Sequence, residues 1–157
     1  MNVFRHFQSK LDASIEALAA EGALPSGMDI SRAGVEPPRD PSHGDIATNA
    51  AMVLAKPAKM KPRDIAELLI VKMRDWEEVS EAEIAGPGFI NLRIADGFWR
   101  NAISGLLEKG LDFGTSDIGA GKKVMVEYVS ANPTGPLHAA HARGAVIGDA
   151  LAALLAK

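Results

Sequence analysis

His138 and His141 stand three residues apart, and Glu127, Ser130 and Asn132 precede them on the same short segment, EYVSANPTGPLHAAH. Pro133 and Pro136 lie between the two groups. Each proline fixes its own φ and restricts the residue before it, so the loop is expected to hold its polar groups in one arrangement. A helix is expected from about Ala140, which sets both imidazoles at its amino end, where free N–H groups and the helix dipole favour anions. Two imidazole donors there suit the phosphates of ATP and the extra charge formed when its α-phosphate is attacked. Glu127 sits in the apolar run VMVEYV. A carboxylate buried there without a partner costs roughly several kcal/mol, so Glu127 is expected to face a cleft or to be paired. A cationic ligand is a reasonable partner, and Ser130 and Asn132 supply directional hydrogen bonds beside it.

Strand, loop and helix together are what would position this set. Residues 123–129 read as a strand buried on both faces of a parallel sheet. The helix after the loop carries Val146, Ile147, Ala150, Leu151, Leu154 and Leu155 on one stripe. That is the opening unit of a doubly wound α/β domain, whose ligands sit outside the carboxyl end of the strand, so the carboxylate and both imidazoles are expected at one mouth. A single βα unit cannot cover both faces of a parallel sheet, and this domain is expected to be truncated.

The residues before it predict a different architecture. Val3, Phe4, Phe7, Leu11, Ile15 and Leu18 recur at helical spacing, ending near Glu21-Gly22. A proline- and glycine-punctuated stretch follows, with a short strand about Ala33 to Glu36. Helical periodicity resumes from Asp45 through Ile46, Ala50 and Leu54, and again after Pro62 through Ile65, Leu69 and Met73, the two helices flanking a basic connector. VSEAEIA and FINLRI read as strands joined by Gly86-Pro87-Gly88, a three-residue hairpin. A last helix spans Phe98 to Lys109, and the glycine-rich LDFGTSDIGAGKK reads as a linker. The expected organisation is an α+β domain of helices and a small antiparallel sheet over 1–109, a linker over 110–121, and the start of a Rossmann-like α/β domain over 122–157.

With 157 residues, 47% hydrophobic and 24% charged, the chain is globular in composition. It has no cysteine, which excludes disulfides and thiolate metal sites. No stretch reads as the roughly 18 apolar residues of a membrane span, nor the start as a signal peptide, and a cytoplasmic protein is expected. The net charge of −3 gives no global attraction to nucleic acid, so such binding must come from local patches.

VEYVSANPTGPLHAAHARGAVIGDALAALL resembles the signature segment of arginyl-tRNA synthetases, class I enzymes whose HIGH-type motif opens a Rossmann catalytic domain. HGDIATNAAMVLAK and GPGFINLRI resemble that family's amino-terminal domain, so the likeness covers nearly the whole chain. The resemblance implies an arginine–tRNA ligase that activates arginine with ATP to the adenylate and transfers it to tRNA(Arg). It implies that His138 and His141 are the catalytic motif histidines, and that Glu127, Ser130, Asn132 and His138 hold arginine, with Glu127 meeting its cationic groups. Phe89 and Asn91 would contact the D-loop of the tRNA, the ring stacking on a base. The expected partners are tRNA(Arg), arginine and ATP, with Mg2+ accompanying the nucleotide and no protein-bound metal. No membrane partner is expected, and the chain is expected to be a monomer. Ala140 stands where the motif usually has glycine, so its methyl group crowds the adenosine contact. The second motif of the class, a KMSKS-like loop, would lie beyond residue 157. The chain is therefore expected to be an amino-terminal fragment, inactive alone.

Plainer readings compete for each feature. Two histidines at a helix start also serve as caps or solvated side chains. Zinc ligation by the pair lacks cysteines and a third ligand nearby. Glu127 can pair with Lys122 or Lys123, and Phe89 and Asn91 can be ordinary hairpin residues. Lys56, Lys59, Lys61 and Arg63 suit either RNA phosphates or plain solvation. The acidic run Asp75, Glu77, Glu78, Glu81 and Glu83 marks a face that avoids RNA. At the level of the whole chain, the alternatives are a non-catalytic RNA-binding module and another HIGH-type nucleotidyl transferase.

Overall fold

Helical spacing at the amino end produces α1, Val3–Ala20, capped by Asn2, whose side chain accepts the Arg5 N–H at 3.0 Å. Its stripe of Phe7, Leu11, Ile15 and Leu18 is buried. These residues belong to the computed structural model of the chain, which describes residues 2–157 and divides into two units, one running to Gly105 and the other from Leu106 to Lys157.

The first unit continues with β1 (Val35–Glu36), a 3-10 turn (Pro41–His43), β2 (Ile46–Thr48), α2 (Ala50–Ala58) and α3 (Pro62–Arg74). Pro62 suits the first turn of α3 because its missing N–H is not needed there. Asp64 in the first turn and Lys72 and Arg74 in the last complement the dipole of that helix. The hairpin follows as β3 (Val79–Ala85) and β4 (Phe89–Ile94), with Ala85 paired to Phe89 across the Gly86–Gly88 turn. Four strands in the order β1-β2-β4-β3, all antiparallel, make the sheet. Ile90, Leu92 and Ile94 of β4 and Ile46 of β2 bury against Phe7, Leu11, Leu54, Ile65, Leu69 and Met73 from the three helices. The helices therefore cover one face, and Phe89, Asn91 and Arg93 alternate onto the other.

One expectation fails in this unit. Residues 46–48 form the strand β2 and not the start of a helix. Three residues, all buried, are too few to display a period of two. What makes them a strand is pairing with Ile90–Leu92, more than forty residues away. The approach depends on Gly44, whose φ is +123°, and a Cβ there would stand 2.6 Å from the Leu92 carbonyl oxygen. Next to it the Asp45 N–H donates to Leu92 O at 2.9 Å, and Asp45 Oδ2 accepts the Ile94 N–H at 2.8 Å. Gly44→Ala is expected to destabilise this unit by about 2 kcal/mol through backbone strain and overlap. Urea unfolding measures it, and an unchanged midpoint would mean that β4 does not need the close approach.

The helix α4, Asp96–Lys109, belongs to the first unit as far as Gly105 and runs on to a 3-10 turn at Gly110–Asp112. In the second unit α5 spans Ala139–Ala156, and residues 110–121 fall inside the same unit. The expected strand over 123–129 is not formed, and Val124 and Met125 are 63% and 88% exposed. A strand is held by ladder hydrogen bonds to a neighbour, and no other strand lies among the described residues of this unit. α5 also corrects the reading that no segment is long and apolar enough to cross a membrane, for it passes by length and composition. Alanine carries that composition, and His141, Arg143 and Asp149 interrupt it.

Candidate functional site

Alternation along β4 places Phe89 and Asn91 on the face of the sheet away from the helices. Phe89 is 36% exposed and Asn91 is half-buried. They line a cleft of about 310 Å³ whose other walls include Pro37, Pro38, Arg39 and His43. Opposite Asn91 across the sheet stand Ala47 on β2, a small residue that leaves the floor open on one side, and Glu83 on β3. This part of the acidic run therefore shares a face with Phe89 and Asn91 and does not have the separate face expected of it. The rim is set by the 3-10 turn, where Asp40 accepts the Ser42 N–H at 2.9 Å, a bond that holds its carboxyl below the usual carboxylate range. Arg93 Nη2 donates to Ser42 O at 3.1 Å and fastens the same turn to β4. A flat aromatic group fits this arrangement, with a ring to stack on, an amide carrying both donors and an acceptor, and a guanidinium and an imidazole at the edge. Arg39 and His43 are the residues that sequence reading passed over. The Pro37-Pro38 step and the His43-Gly44-Asp45 run signalled a bend there, but not that it folds over β4.

The second unit brings part of the predicted set together. His138 occupies the position before α5, and its backbone N–H donates to His141 Nδ1 at 3.2 Å. The two rings lie 3.9 Å apart between centroids, tilted by 37°. With Asn132, Thr134, Gly135 and Pro136 they line a hollow of about 300 Å³ at the amino end of the helix. Ala140 follows in the first turn of α5 and is exposed. Imidazole donors, an amide and the free N–H groups of a helix start make this a place for an anion.

Glu127 and Ser130 do not line that hollow. They form their own exposed pair, Ser130 Oγ donating to Glu127 Oε1 at 2.6 Å. One shared mouth for carboxylate and imidazoles is therefore corrected to two adjacent groups on the same loop. The cause is local: Val129 has φ +60°, and the Ala131 N–H closes a tight turn onto Val129 O at 2.8 Å. A left-handed valine is a sharp bend where an unbroken strand would have run straight. Just before it, Tyr128 lies on Gly148 of α5, where a Cβ would overlap its Cβ and Cγ. Gly148 thus lets the loop lie directly on the helix.

Residues 5–94 match the family model described as arginyl tRNA synthetase N terminal domain. The whole chain is 60% identical, over 157 residues, to the arginine–tRNA ligase of Parvibaculum lavamentivorans and covers 27% of that protein. It is 57% identical to that of Ruegeria sp. over 155 residues, 99% of this chain and 27% of the relative. For Nitrobacter hamburgensis the figures are 58% over 154 residues, 98% and 26%. The chain thus spans about a quarter of the length of the curated relatives it matches. In fold it resembles the crystal structure of arginyl-tRNA synthetase from Plasmodium falciparum, with a TM-score of 0.72 at 18% identity over 95% of this chain and 27% of that one.

Proposed function

Because the chain belongs to the family of arginyl-tRNA synthetase N-terminal domains, we propose that it works within an arginine–tRNA ligase, its first unit gripping tRNA(Arg) and its second contributing to the ATP and arginine site. The observation that carries this reading is the reach of the likeness. Identity to arginine–tRNA ligases extends past the family domain, through the whole loop and helix that hold His138 and His141.

The chemistry asked of the second unit is positioning and charge stabilisation, with no protein nucleophile. The arginine carboxylate attacks the α-phosphate of ATP and pyrophosphate leaves. His138 and His141 stabilise, as hydrogen-bond donors, the charge gathered on the phosphates at the start of α5. Mg2+ travels with the nucleotide as part of the substrate. Glu127, fixed by Ser130, meets the cationic end of arginine, while Asn132 and His138 hold its polar groups. A tRNA ribose hydroxyl then attacks the adenylate carbonyl and AMP departs. In this reading residues 122–157 open the Rossmann-like catalytic domain, and the setting is cytoplasmic.

For the first unit, Phe89 stacks on an unstacked base and Asn91 bonds to its edge. Phe89→Ala is expected to weaken binding of an unmodified tRNA(Arg) transcript about tenfold, because stacking of a base on an aromatic ring is worth about 1 to 3 kcal/mol. Fluorescence anisotropy reads the change. Undiminished affinity with the ring removed would overturn the assignment of this cleft to RNA.

A further inference from the structure

The turn of the hairpin ends on Gly88, whose φ of +155° brings its backbone against α3. A Cβ on Gly88 would lie 2.9 Å from Pro62 Cβ and 3.2 Å from Pro62 C and O. Two neighbours follow from that approach. Phe89 is bonded to Gly88, and Lys61 is bonded to Pro62, so the aromatic wall of the cleft and the connector between α2 and α3 meet at the hairpin tip. Lys59 and Lys61 lie on that connector and Lys56 in the last turn of α2 leading into it, all exposed. Its path is fixed: Lys59 is left-handed at φ 54°, and its N–H donates to Lys56 O at 3.3 Å. A lysine in that conformation is uncommon, and it turns the chain so that α3 can begin at Pro62.

About half of the other Lys and Arg side chains of the unit are ion-paired, and Arg5, Arg32, Arg39 and Arg74 share with these three the lack of a carboxylate, but they do not lie beside one another in sequence. Lys10, Lys72, Arg63, Arg93 and Arg100 each hold a carboxylate, whereas among the described residues none of Lys56, Lys59 and Lys61 does. The nearest acidic groups in sequence are Asp64, in the first turn of α3, and Glu67, which is taken by Arg63 at 3.6 Å. The connector is therefore a patch of unpaired positive charge on a rigid bend, in a chain whose net charge is −3. Such charge is what a polyanion's phosphates seek, and each phosphate neutralised releases counterions.

We propose that Lys56, Lys59 and Lys61 form a phosphate-binding patch that continues the Phe89 cleft around the hairpin tip, gripping the RNA backbone next to the base that the cleft holds. This rests on the reading of the first unit as an RNA contact. Cleft and patch divide the work: the cleft recognises a base by its ring and edge, and the patch holds backbone irrespective of sequence.

The test is the triple variant Lys56→Gln, Lys59→Gln, Lys61→Gln beside Phe89→Ala, both in the full chain. Affinity for a tRNA(Arg) transcript is measured between about 50 and 200 mM salt. The triple variant is expected to bind about tenfold more weakly, and its dependence of log K on log salt is expected to flatten by about 2, at roughly 0.7 for each phosphate no longer neutralised. Phe89→Ala is expected to lose affinity with the slope unchanged. If the triple variant keeps both affinity and slope while Phe89→Ala weakens binding, the patch is refuted and the cleft stands. If the slope flattens in the triple variant while Phe89→Ala binds normally, the patch holds and the base-stacking assignment falls. Thermal unfolding of the three exposed substitutions is expected to match the parent, which separates a missing charge from a damaged fold.

Discussion

In a ligase of the length its relatives have, Glu127→Gln is expected to raise the KM for arginine in pyrophosphate exchange by about thirtyfold or more, with the KM for ATP little changed. The geometry makes this substitution clean. Ser130 Oγ donates to one carboxylate oxygen at 2.6 Å, and a glutamine carbonyl can accept that same bond, so the side chain keeps its place while its charge is gone. What disappears is the attraction for a guanidinium or ammonium group. Truncating one partner of such a hydrogen-bonded charge pair costs about 2 to 5 kcal/mol, and each 1.4 kcal/mol is about a factor of ten. Ser130→Ala is expected to do less, since it loosens the carboxylate without discharging it. An arginine KM equal to the parent's in Glu127→Gln would remove Glu127 from the substrate site and leave it a surface carboxylate.

How far the sequence foretold this structure depends on how local each cause is. The hairpin was legible to the residue, since Gly86-Pro87-Gly88 between two alternating runs leaves few other conformations and the strands pair next to their own turn. The amphipathic stripe of α1 was equally plain. Residues 46–48 were not, because their strand character comes from a partner at 90–92 and a glycine, Gly44, that allows the approach. Arg39 and His43 stayed hidden for the same reason: only the folding of the 3-10 turn over β4 brings them to Phe89. In the second unit the residue types around the histidines were readable, and so was the helix that follows. Reading VMVEYV as a strand assumed neighbours that the ladder needs, and the left-handed bend at Val129 separates Glu127 from the hollow that the strand would have shared.

Acid is expected to weaken the first unit through one carboxylate. Glu78 precedes β3 and binds two residues of α1: Lys10 Nζ at 2.6 Å on one oxygen and His6 Nε2 at 3.0 Å on the other. An ionised carboxylate only accepts, so His6 carries the proton on Nε2 in this pair. Around it Phe7 packs on Trp76 and Phe98, and Lys10 lies 5.7 Å above the Trp76 ring, which shields the pair from part of the solvent. Burial pushes the Glu78 carboxyl up, but the bonds from Lys10, its own backbone N–H and His6 outweigh that and hold it at about 2, against an ordinary 4.5. A group whose pKa is lower folded than unfolded stabilises the fold above its unfolded pKa. That stability is lost as pH falls from about 5 towards 2. The span corresponds to about 3 kcal/mol at 1.36 kcal/mol for each pKa unit. With a fifth of the side chain still in contact with water, screening reduces the figure to about 2 kcal/mol. Glu78→Gln is therefore expected to be less stable by at least that amount at pH 7, and to lose less than the parent between pH 5 and 2, so that the two unfolding curves converge in acid. Urea midpoints across that range measure it. Parallel pH profiles for parent and variant would show that the pair between α1 and β3 contributes no acid-sensitive stability, and that the aromatic packing alone fastens α1 to the sheet.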